Sequence, residues 1–551
     1  MRLTNPGFNR VLHKRSDYHK ELYRVHGDWR GTRENPSRFY QEGGSSLFIP
    51  DTERWITREG EGDMSFKTQQ LPGTIPVGGF TTQKLSDVKH GIPEQFGGRC
   101  LASAAKDERF NTAIGLVEAL SNAGYEAYLV GGCVRDMLRC KTPKDYDIAT
   151  SATPEQIESV FNNEQIIETG IKHGTVTVMI DSVGYEITTF RIDGDYSDGR
   201  HPDSVKFAKT IEEDLGRRDF TINAMAYNKE RGFVDPYNGF WCLRTEKIMC
   251  VGNPVLRFQE DGLRILRAMR FACVFGYDID EDTAYGMRIC KKKLECVSKE
   301  RIRTELDKMI TTYRFGDIMM KFSDILVEII PELDNLTGNI SYTENPSRFD
   351  LYTDIAHEFI EGENHRDKIT SYALLFRNLT MFESEIRRHL TLEEIATAAS
   401  AVAHNVMKDL KFDNATMESV CRIIKQSFES VPMSKYTMRV LINKLGKEDT
   451  ERMLDLMLMQ SNIPACYSDS WERCYDSMSI FYDVKDENVF TVKDLDINGD
   501  DLMEIGFKGI RIRKTLNHLL HLYFLDSIEN KHDVLYAKAS ELFNLNGGSI
   551  L

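Results

Sequence analysis

Long apolar runs are missing from this chain of 551 residues. No run reaches the length of a membrane-spanning helix, and the first residues lack the apolar leader and small-residue cleavage site of a secreted protein. The eleven cysteines are odd in number and include no CxxC pair, which favours reduced thiols over a disulfide framework or a zinc site. These absences predict a cytoplasmic protein with no membrane segment.

An excess of positive charge is missing too, because the formal net charge is −15. A net negative charge does not exclude a local basic groove for nucleic acid, since affinity follows the local placement of Lys and Arg. Basic clusters occur at Arg217-Arg218, Lys291–Lys293, Arg387-Arg388 and Lys508–Lys514. Each is more often a solvated helix face than a binding site, so charge alone decides nothing about function.

The pattern along the chain predicts an α+β protein of several domains. Residues 1–105 are rich in Gly, Pro, Asn and Arg with little periodicity, which indicates an irregular N-terminal extension of unknown role. Residues 106–245 alternate between strand and helix patterns and predict a small α/β head. Helical spacing then dominates, and breaks rich in Pro, Asn and Gly divide it into a neck (246–335), a body (336–465) and a tail (466–551).

Within the head, we expect helices over 111–123 and 154–161 and a strand at Tyr128. Alternating strands follow at Thr175–Ile180 and Tyr185–Phe190. We expect the second of these, which carries Glu186, to pair beside the strand at Tyr128.

The most informative segment runs from that first strand into Gly131-Gly132 and on to Asp145-Tyr146-Asp147. On an extended strand residues i and i+2 face the same side, so Asp145 and Asp147 can hold the same Mg²⁺ ion. The glycines allow a triphosphate to approach the backbone, and a helix beginning near Val134 adds its positive end. A lone DxD or Gly-Gly is usually plain surface or a turn, but in this order the two indicate a nucleotidyltransferase.

Glu186 can add a third acidic group to this site, or it can be a solvent-facing strand residue. The glycine-rich stretch 191–203 is either a mobile segment beside the nucleotide or a plain hairpin connection. In Arg217-Arg218-Asp219, Arg218 can pair with phosphate oxygens, while Asp219 and Asn223 can bond ribose hydroxyls. The alternative for the two arginines is an exposed pair at a helix start.

The stretch Glu260–Ala272 predicts one continuous helix with a charged stripe. Helical spacing sets Asp261 and Arg264 on the same face, with Arg267 and Arg270 at further steps of three. Such a stripe is normally solvated, yet an Asp beside an Arg can also mimic a base edge. The carboxylate accepts from the exocyclic amine of C or A and repels the carbonyl of U or G, so this pair can select CTP and ATP without a template.

Six motifs in order resemble the class II tRNA nucleotidyltransferases, the CCA-adding enzymes, which share their head with bacterial poly(A) polymerases. The motifs are GGxVRD, DxD, RRDFTxNA, DPxxG, EDxxRxxRxxRFA and the segment Glu300–Leu306. The resemblance extends over roughly 105–551. It implies an enzyme that adds or repairs the 3′-terminal CCA of tRNA from CTP and ATP, with a neck that selects the nucleotide and a tail that binds tRNA.

Carried across by position, the resemblance assigns roles to individual residues. Asp145 and Asp147 would be catalytic and hold Mg²⁺, with Glu186 as a third carboxylate. Asp261 and Arg264 would select the base. The residues that would bind the rest of the nucleotide are Gly131, Gly132, Arg135, Arg218, Asp219, Asn223, Arg267 and Arg270.

The sequence departs from some relatives at Arg377-Asn378, where they carry a metal-binding His-Asp pair. This departure argues against phosphohydrolase activity, and His357 and His365 are interpreted as ordinary helix residues. Three alternatives stay open: a poly(A) polymerase, an enzyme restricted to part of the CCA end, above all to A addition, and a non-catalytic RNA-binding relative.

Overall fold

The computed structural model of this chain describes residues 46–49, 54–57, 104–168, 174–193, 205–334, 355–356, 358–359, 367–379, 390–461 and 469–545. The chain divides into two compact units, 1–88 and 89–551. In the first unit, β1 (Ser46–Ile49) and β2 (Arg54–Thr57) pair as an antiparallel hairpin with Ser46 opposite Thr57. The sequence had not predicted this hairpin in the extension.

The head of the second unit contains a seven-stranded mixed sheet in the order β11-β10-β3-β4-β7-β6-β5. Its strands are β3 (Ala127–Val130), β4 (Ile148–Thr150), β5 (Gln165–Ile167), β6 (Thr175–Ile180), β7 (Val183–Thr189), β10 (Ala226–Asn228) and β11 (Gly232–Val234). Strands β4 and β7 run parallel, and their neighbours pair antiparallel. The expected strand at Thr175–Ile180 is confirmed. The expectation that the strand carrying Glu186 pairs beside β3 is wrong, because β4 lies between them.

Short helices cover both sides of the sheet. They are α1 (Glu108–Asn122), α2 (Gly132–Leu138), α3 (Pro154–Val160), α4 (Ile211–Gly216) and α5 (Gly239–Arg244). A two-stranded ribbon of β8 (Arg191–Asp193) and β9 (Val205–Phe207) flanks the stretch 194–204, which lies outside the described residues. The pairing of β8 with β9 agrees with the hairpin alternative at the two ends of this stretch, and the alternative of a mobile segment concerns residues outside the described ones.

The rest of the second unit is largely helical. The neck and body helices are α6 (Pro254–Glu260), α7 (Leu263–Phe275), α8 (Glu281–Cys290), α9 (Lys299–Met309), α10 (Phe315–Ile329), α11 (Lys368–Phe376), α12 (Leu392–Asp409), α13 (Asn414–Gln426), α14 (Lys435–Leu445), α15 (Lys447–Gln460) and α16 (Trp471–Val484). A short parallel pair of β12 (Lys247–Ile248) and β13 (Asp278–Ile279) lies within the neck. The predicted α+β class, with an α/β head on a helical body, is confirmed.

The C-terminal helices are α17 (Gly499–Ile505), α18 (Ile510–Phe524) and α19 (His532–Leu545). They pack around a core of their own, which begins at Val489, whereas α16 packs into the main core through Cys474 and Phe481. Many helices start at side-chain caps, such as Thr391 with Glu394 at α12, where each side chain bonds the other's backbone N–H. The domain boundaries drawn from the sequence stay predictions.

One predicted helix is interrupted. Helix α6 ends at Glu260, Asp261 is extended (φ −143°, ψ 108°), and α7 begins at Leu263. The break lies at Asp261, whose Oδ1 accepts from the N–H of Leu263 at 3.0 Å. Gly262 beside it packs closely, because a Cβ there would lie 2.6 Å from the carbonyl oxygen of Lys293. The expectation of one continuous helix over Glu260–Ala272 is wrong, since the side chain of Asp261 bonds a backbone N–H that a continuous helix would use.

Among the described residues, no helix is both long and apolar enough to cross a bilayer. Eight of the described cysteines are free thiols, but Cys140 is disulfide-bonded, contrary to the expectation of reduced thiols throughout. His357 and His365, and the basic pair Arg387-Arg388, lie outside the described residues.

Candidate active site

The glycine pair forms a tight turn between β3 and α2. Gly131 adopts φ +73°, and a Cβ at this position would lie 2.6 Å from Nη1 of Arg218, so both the backbone and the space require glycine. The N–H of Gly131 donates to the carbonyl of Met225, and Gly132 is the first residue of α2. Gly131 thus serves mainly to let an arginine come close to the turn.

The two aspartates lie just before β4, outside the strand itself. Tyr146 between them is buried in the main core with Ile148, whereas Asp145 is exposed and Asp147 is partly exposed. This alternation directs both carboxylates to the opposite side from the core, as the period of two predicted. Because Ile148 pairs with Ile187 in parallel register, Asp147 and Glu186, one residue earlier on each strand, are neighbours.

The electrostatics of Asp147 agree with this placement. Burial, together with the charges of Asp145 and Glu186, raises the pKa of Asp147 to about 6, and Arg218 opposes the rise. Folding therefore concentrates negative charge at this edge of the sheet without a full counter-charge. A hard cation held by carboxylate oxygens would relieve that repulsion.

No group of three or more His, Cys, Asp or Glu side chains is arranged to hold a metal ion among the residues that the structure describes. The acidic edge is therefore not a closed protein cage. It matches the way Mg²⁺ is usually held, by one or two carboxylates with water and substrate phosphate completing the shell. The donor set of Asp145 and Asp147 fits such an ion.

The arginine pair that follows α4 is anchored by one buried carboxylate. Asp214, which is fully buried, accepts from Nε and Nη2 of Arg217 at 3.0 and 2.8 Å and from Nη2 of Arg218 at 3.1 Å. Burial alone would raise the pKa of Asp214, but the two guanidinium groups outweigh it and lower the pKa. The spacing of three and four residues on a helical turn explains these contacts, although the sequence analysis did not single out Asp214.

Asp219 is buried and fully engaged by the protein. It accepts from the N–H of Phe220, from Asn223 at 3.0 Å and from Arg267 at 2.8 and 2.5 Å. Burial would raise the pKa of Asp219, but Arg267 and these hydrogen bonds lower it to about 2. Asn223 in turn accepts from Arg135 at 2.6 Å. Asp219 therefore orients the groups around it, and its predicted contact with the sugar stays a prediction.

Asp261 and Arg264 do not form a pair along one helical face, because Asp261 lies in the break before α7. Its Oδ1 accepts from the N–H of Leu263 at 3.0 Å, and its Oδ2 pairs with Arg301 of α9 at 2.9 Å. Arg264 instead pairs with Glu260 at 2.5 Å. The spacing argument for this pair was wrong, yet both side chains reach the same cleft.

These elements surround an open cleft of about 420 Å³, within the usual size of a small-molecule site. Six arginines and three aspartates are among its lining residues, which are Gly131, Gly132, Arg135, Asp147, Arg217, Arg218, Asp219, Asn223, Asp261, Leu263, Arg264, Arg267, Phe271 and Arg301. The excess of positive charge is the electrostatic complement of a polyphosphate.

Three predicted site residues do not line this cleft. Asp145 and Glu186 are exposed beside Asp147, and Arg270 is half-buried in an ion pair with Glu305 of α9. Sequence reasoning missed Arg217, Leu263, Phe271 and Arg301 as lining residues. All four occur within motifs already recognised, but the direction of the last three towards the cleft follows only from the packing of α7 and α9 on the head, and Arg217 is held by Asp214.

Comparison with known proteins agrees with this site. The model of the poly A polymerase head domain matches residues 127–249, and that of a probable RNA- and SrmB-binding site of polymerase A matches 276–337. A CCA-adding enzyme of Leuconostoc citreum is 32% identical over 439 residues, which is 79% of this chain and 97% of the relative. One from Limosilactobacillus reuteri is 45% identical over 201 residues, covering 36% of this chain and 49% of the relative.

Solved structures share the fold. The Bacillus stearothermophilus CCA-adding enzyme in complex with CTP aligns over 81% of this chain and 100% of its own, with TM-score 0.57 and 24% identity. The Thermotoga maritima enzyme complexed with tRNA aligns over 81% and 98%, with TM-score 0.54 and 19% identity.

The fold and the cleft define a nucleotidyltransferase of the type that acts on tRNA. The sequence identity along most of both chains then assigns the protein more narrowly: it belongs to the family of CCA-adding enzymes.

Proposed function

We propose that this enzyme completes the 3′ CCA end of tRNA, taking the nucleotides from CTP and ATP and releasing pyrophosphate. The observation that carries the proposal is the cleft itself, where six arginines outnumber three aspartates and Asp147 lies at the edge. A triphosphate with four negative charges matches that excess. In this proposal the head carries the chemistry, and the neck selects the nucleotide.

Asp145 and Asp147 would hold Mg²⁺, with Glu186 beside them. The raised pKa of Asp147, caused by burial and by its two acidic neighbours, supports this assignment because a bound cation would remove the repulsion. When bound, Mg²⁺ would supply charge neutralisation at the attacking and leaving oxygens, in the manner of two-metal sites.

The chain's own cations bind and orient the triphosphate. Arg218 lies against the glycine turn, and Arg267 and Arg135 are held in place by Asp219 and Asn223. Because their anchors are buried, these guanidinium groups keep fixed positions and need little reorganisation when phosphate arrives. The bound α-phosphate is thereby presented to the 3′ hydroxyl of the tRNA.

Base choice would rest on Asp261 and Arg264. Both oxygens of Asp261 already accept one hydrogen bond each, but an ionised carboxylate offers about four acceptor sites. It remains an acceptor for the exocyclic amine of C or A and repels a carbonyl at that place. Arg264 is anchored by Glu260 and by backbone carbonyls and would donate to the adjacent ring acceptor.

The helical tail would contact the tRNA. The start of α18 carries Lys508, Arg513 and Lys514 at the protein surface. Duplex RNA offers little sequence to read, so contacts to phosphate and shape are expected to dominate. Binding should then weaken with salt.

The test is incorporation into one tRNA that lacks its last three nucleotides, with CTP and ATP supplied separately and together. CTP alone should add two residues, and both nucleotides together should add three and then stop. Long A tails made without CTP would instead establish a poly(A) polymerase. Addition of A only to a tRNA ending in CC would establish the restricted enzyme, and binding without any addition would establish a non-catalytic relative.

A further inference from the structure

Phe271 lies on α7 beneath the arginines of the cleft, with 3% of its surface exposed. The guanidinium carbons of Arg135 and Arg267 each lie 5.5 Å from its ring centroid, and that of Arg270 lies 4.0 Å away. Distances below about 6 Å are those at which a cation is attracted to an aromatic face. Three cations thus converge on one ring, and two of them line the cleft.

We propose that Phe271 is a positioning residue of the triphosphate site, acting through cation–π attraction on Arg135 and Arg267. The inference rests on the proposed function, since it takes the cleft to bind a nucleoside triphosphate. The predicted ligands of the phosphates are the arginines, and Phe271 acts on them from below.

The advantage of a ring over a carboxylate is that it leaves hydrogen-bond donors available. A guanidinium group has five N–H donors, and a carboxylate partner occupies one or two of them. Asp219 already takes two donors of Arg267, and Asp136 and Asn223 take three of Arg135. A further carboxylate would leave fewer donors for phosphate, whereas the ring face attracts the charge and uses none.

The ring is itself fixed in orientation. Phe220 meets it edge-on at 5.7 Å and 83°, and Phe275 stacks on it at 5.4 Å and 18°. Phe275 also lies 4.8 Å from the guanidinium carbon of Arg135. Since α2 carries Arg135 while α7 carries both rings, the stack connects the phosphate-binding turn of the head to the neck.

Simple packing is the alternative role for a buried phenylalanine, and it predicts a different response to fluorination. Fluorine atoms withdraw charge from the ring face and change its volume little, so they weaken cation–π attraction with a small effect on packing. We therefore suggest replacing Phe271 in the full-length enzyme by mono-, di-, tri- and pentafluorophenylalanine. Phe315, fully buried in the neck and edge-on to Phe359 at 5.1 Å, takes the same series as the matched control.

The expected result is a stepwise rise of KM for both CTP and ATP along the series at Phe271, about tenfold in total. The inhibition constant of pyrophosphate should rise in parallel, because it reports the phosphate subsite alone. The change in kcat should be small, as expected when binding in the ground and transition states weakens equally. Thermal unfolding should vary little, and the series at Phe315 should leave KM unchanged.

The inference would be overturned by a KM that stays flat from phenylalanine to pentafluorophenylalanine, or by an equal rise at Phe315. The inference would also be overturned if Phe271→Leu raised the KM for CTP and ATP no more than Phe315→Leu does. The unsubstituted enzyme separates this failure from that of the proposed function. If it adds C and A to tRNA while the series is flat, only the role of Phe271 is wrong; if it adds neither, the proposed function is wrong.

Discussion

Arginine is used in two different ways in the open cleft and in the helical body. In the body, Arg377 is 2% exposed, donates to the hydroxyl and carbonyl of Ser427 and to Gln460, and lies 4.0 Å from the ring of Phe428. In the cleft, Arg218 donates to Asp214 from one nitrogen, and its buried Nε has no hydrogen-bond partner within the described part of the chain.

The difference is the one expected between a structural cation and one that binds a ligand. The hydroxyl and carbonyl of Ser427, the amide of Gln460 and the ring of Phe428 contact Arg377, so it connects α11 with the chain after α13 and with the end of α15. Arg218 is held from one side only, next to an acidic edge and an open cavity. A buried polar atom without a partner in a native protein requires an explanation, and a functional role is one such explanation. Four tests with five substitutions examine this comparison.

The largest effect is expected for Asp147→Ala. Loss of the proposed metal-binding carboxylate should reduce nucleotide incorporation about a thousandfold or more, while tRNA binding changes little because the proposed RNA contacts lie in the helical tail. Single-turnover incorporation and a filter-binding assay measure the two quantities. Glu164→Ala, an exposed carboxylate of the same head, is the control. Turnover within tenfold of the unsubstituted enzyme would disprove the metal assignment.

The second test exchanges the two arginines directly. Arg377→Met should lower the free energy of unfolding by about 2–4 kcal/mol, because it leaves buried acceptors without donors, with KM for CTP unchanged. Arg218→Met should raise that KM by about ten- to a hundredfold with a smaller loss of stability. Denaturant unfolding and initial rates provide both values. If Arg377→Met raised the KM for CTP and Arg218→Met mainly lowered the free energy of unfolding, the distinction between the body and the cleft would be wrong.

A smaller effect is expected for Asp261→Ala. Discrimination of CTP and ATP against UTP and GTP should fall about tenfold, because the carboxylate no longer repels a carbonyl at the base edge. The inhibition constant of pyrophosphate should stay nearly constant. The measurement is kcat/KM for each of the four nucleotides, and unchanged refusal of UTP and GTP would show that base selection lies elsewhere.

The smallest effect concerns pH. Because folding raises the pKa of Asp147 to about 6, protonation favours the folded state fully below about pH 4, and this benefit is lost as the pH rises through 6. Without metal, Asp147→Asn should therefore be more stable than the unsubstituted enzyme at pH 8 by about 1 kcal/mol, which is less than the roughly 3 kcal/mol of the full shift because water partly screens this partly exposed side chain. The gap should close towards pH 4. Melting curves in chelator at several pH values test this, and a gap independent of pH would contradict it.

Local patterns predicted much of the head. The alternation around Tyr146 sent Asp145 and Asp147 to one side, and the strand at Thr175–Ile180 was found with the predicted bounds. These features depend on neighbours in the chain. The order of the strands in the sheet could not be predicted in the same way. The alternation of residues along a strand does not identify its partner, and β4 lies between β3 and β7.

The neck shows why the residues predicted to select the base could be located but not described from the sequence. The motif identified Asp261 and Arg264, yet the helix breaks at Asp261, whose side chain accepts from the N–H of Leu263. The partner of Asp261 is Arg301, 40 positions away. Contacts of this kind depend on how α7 and α9 meet.

The amino-acid order by itself determined the acidic pair, the glycine turn, the arginine-rich helix and the family to which they belong, because each is a short-range pattern. The folded chain alone decided which arginines line the cleft, which pair with carboxylates far away in the sequence, as Arg267 does with Asp219 and Arg270 with Glu305, and that Phe271 lies beneath three arginines. The physical reason is that burial and charge pairing depend on segments distant in sequence, and these become neighbours only when the head and neck pack together.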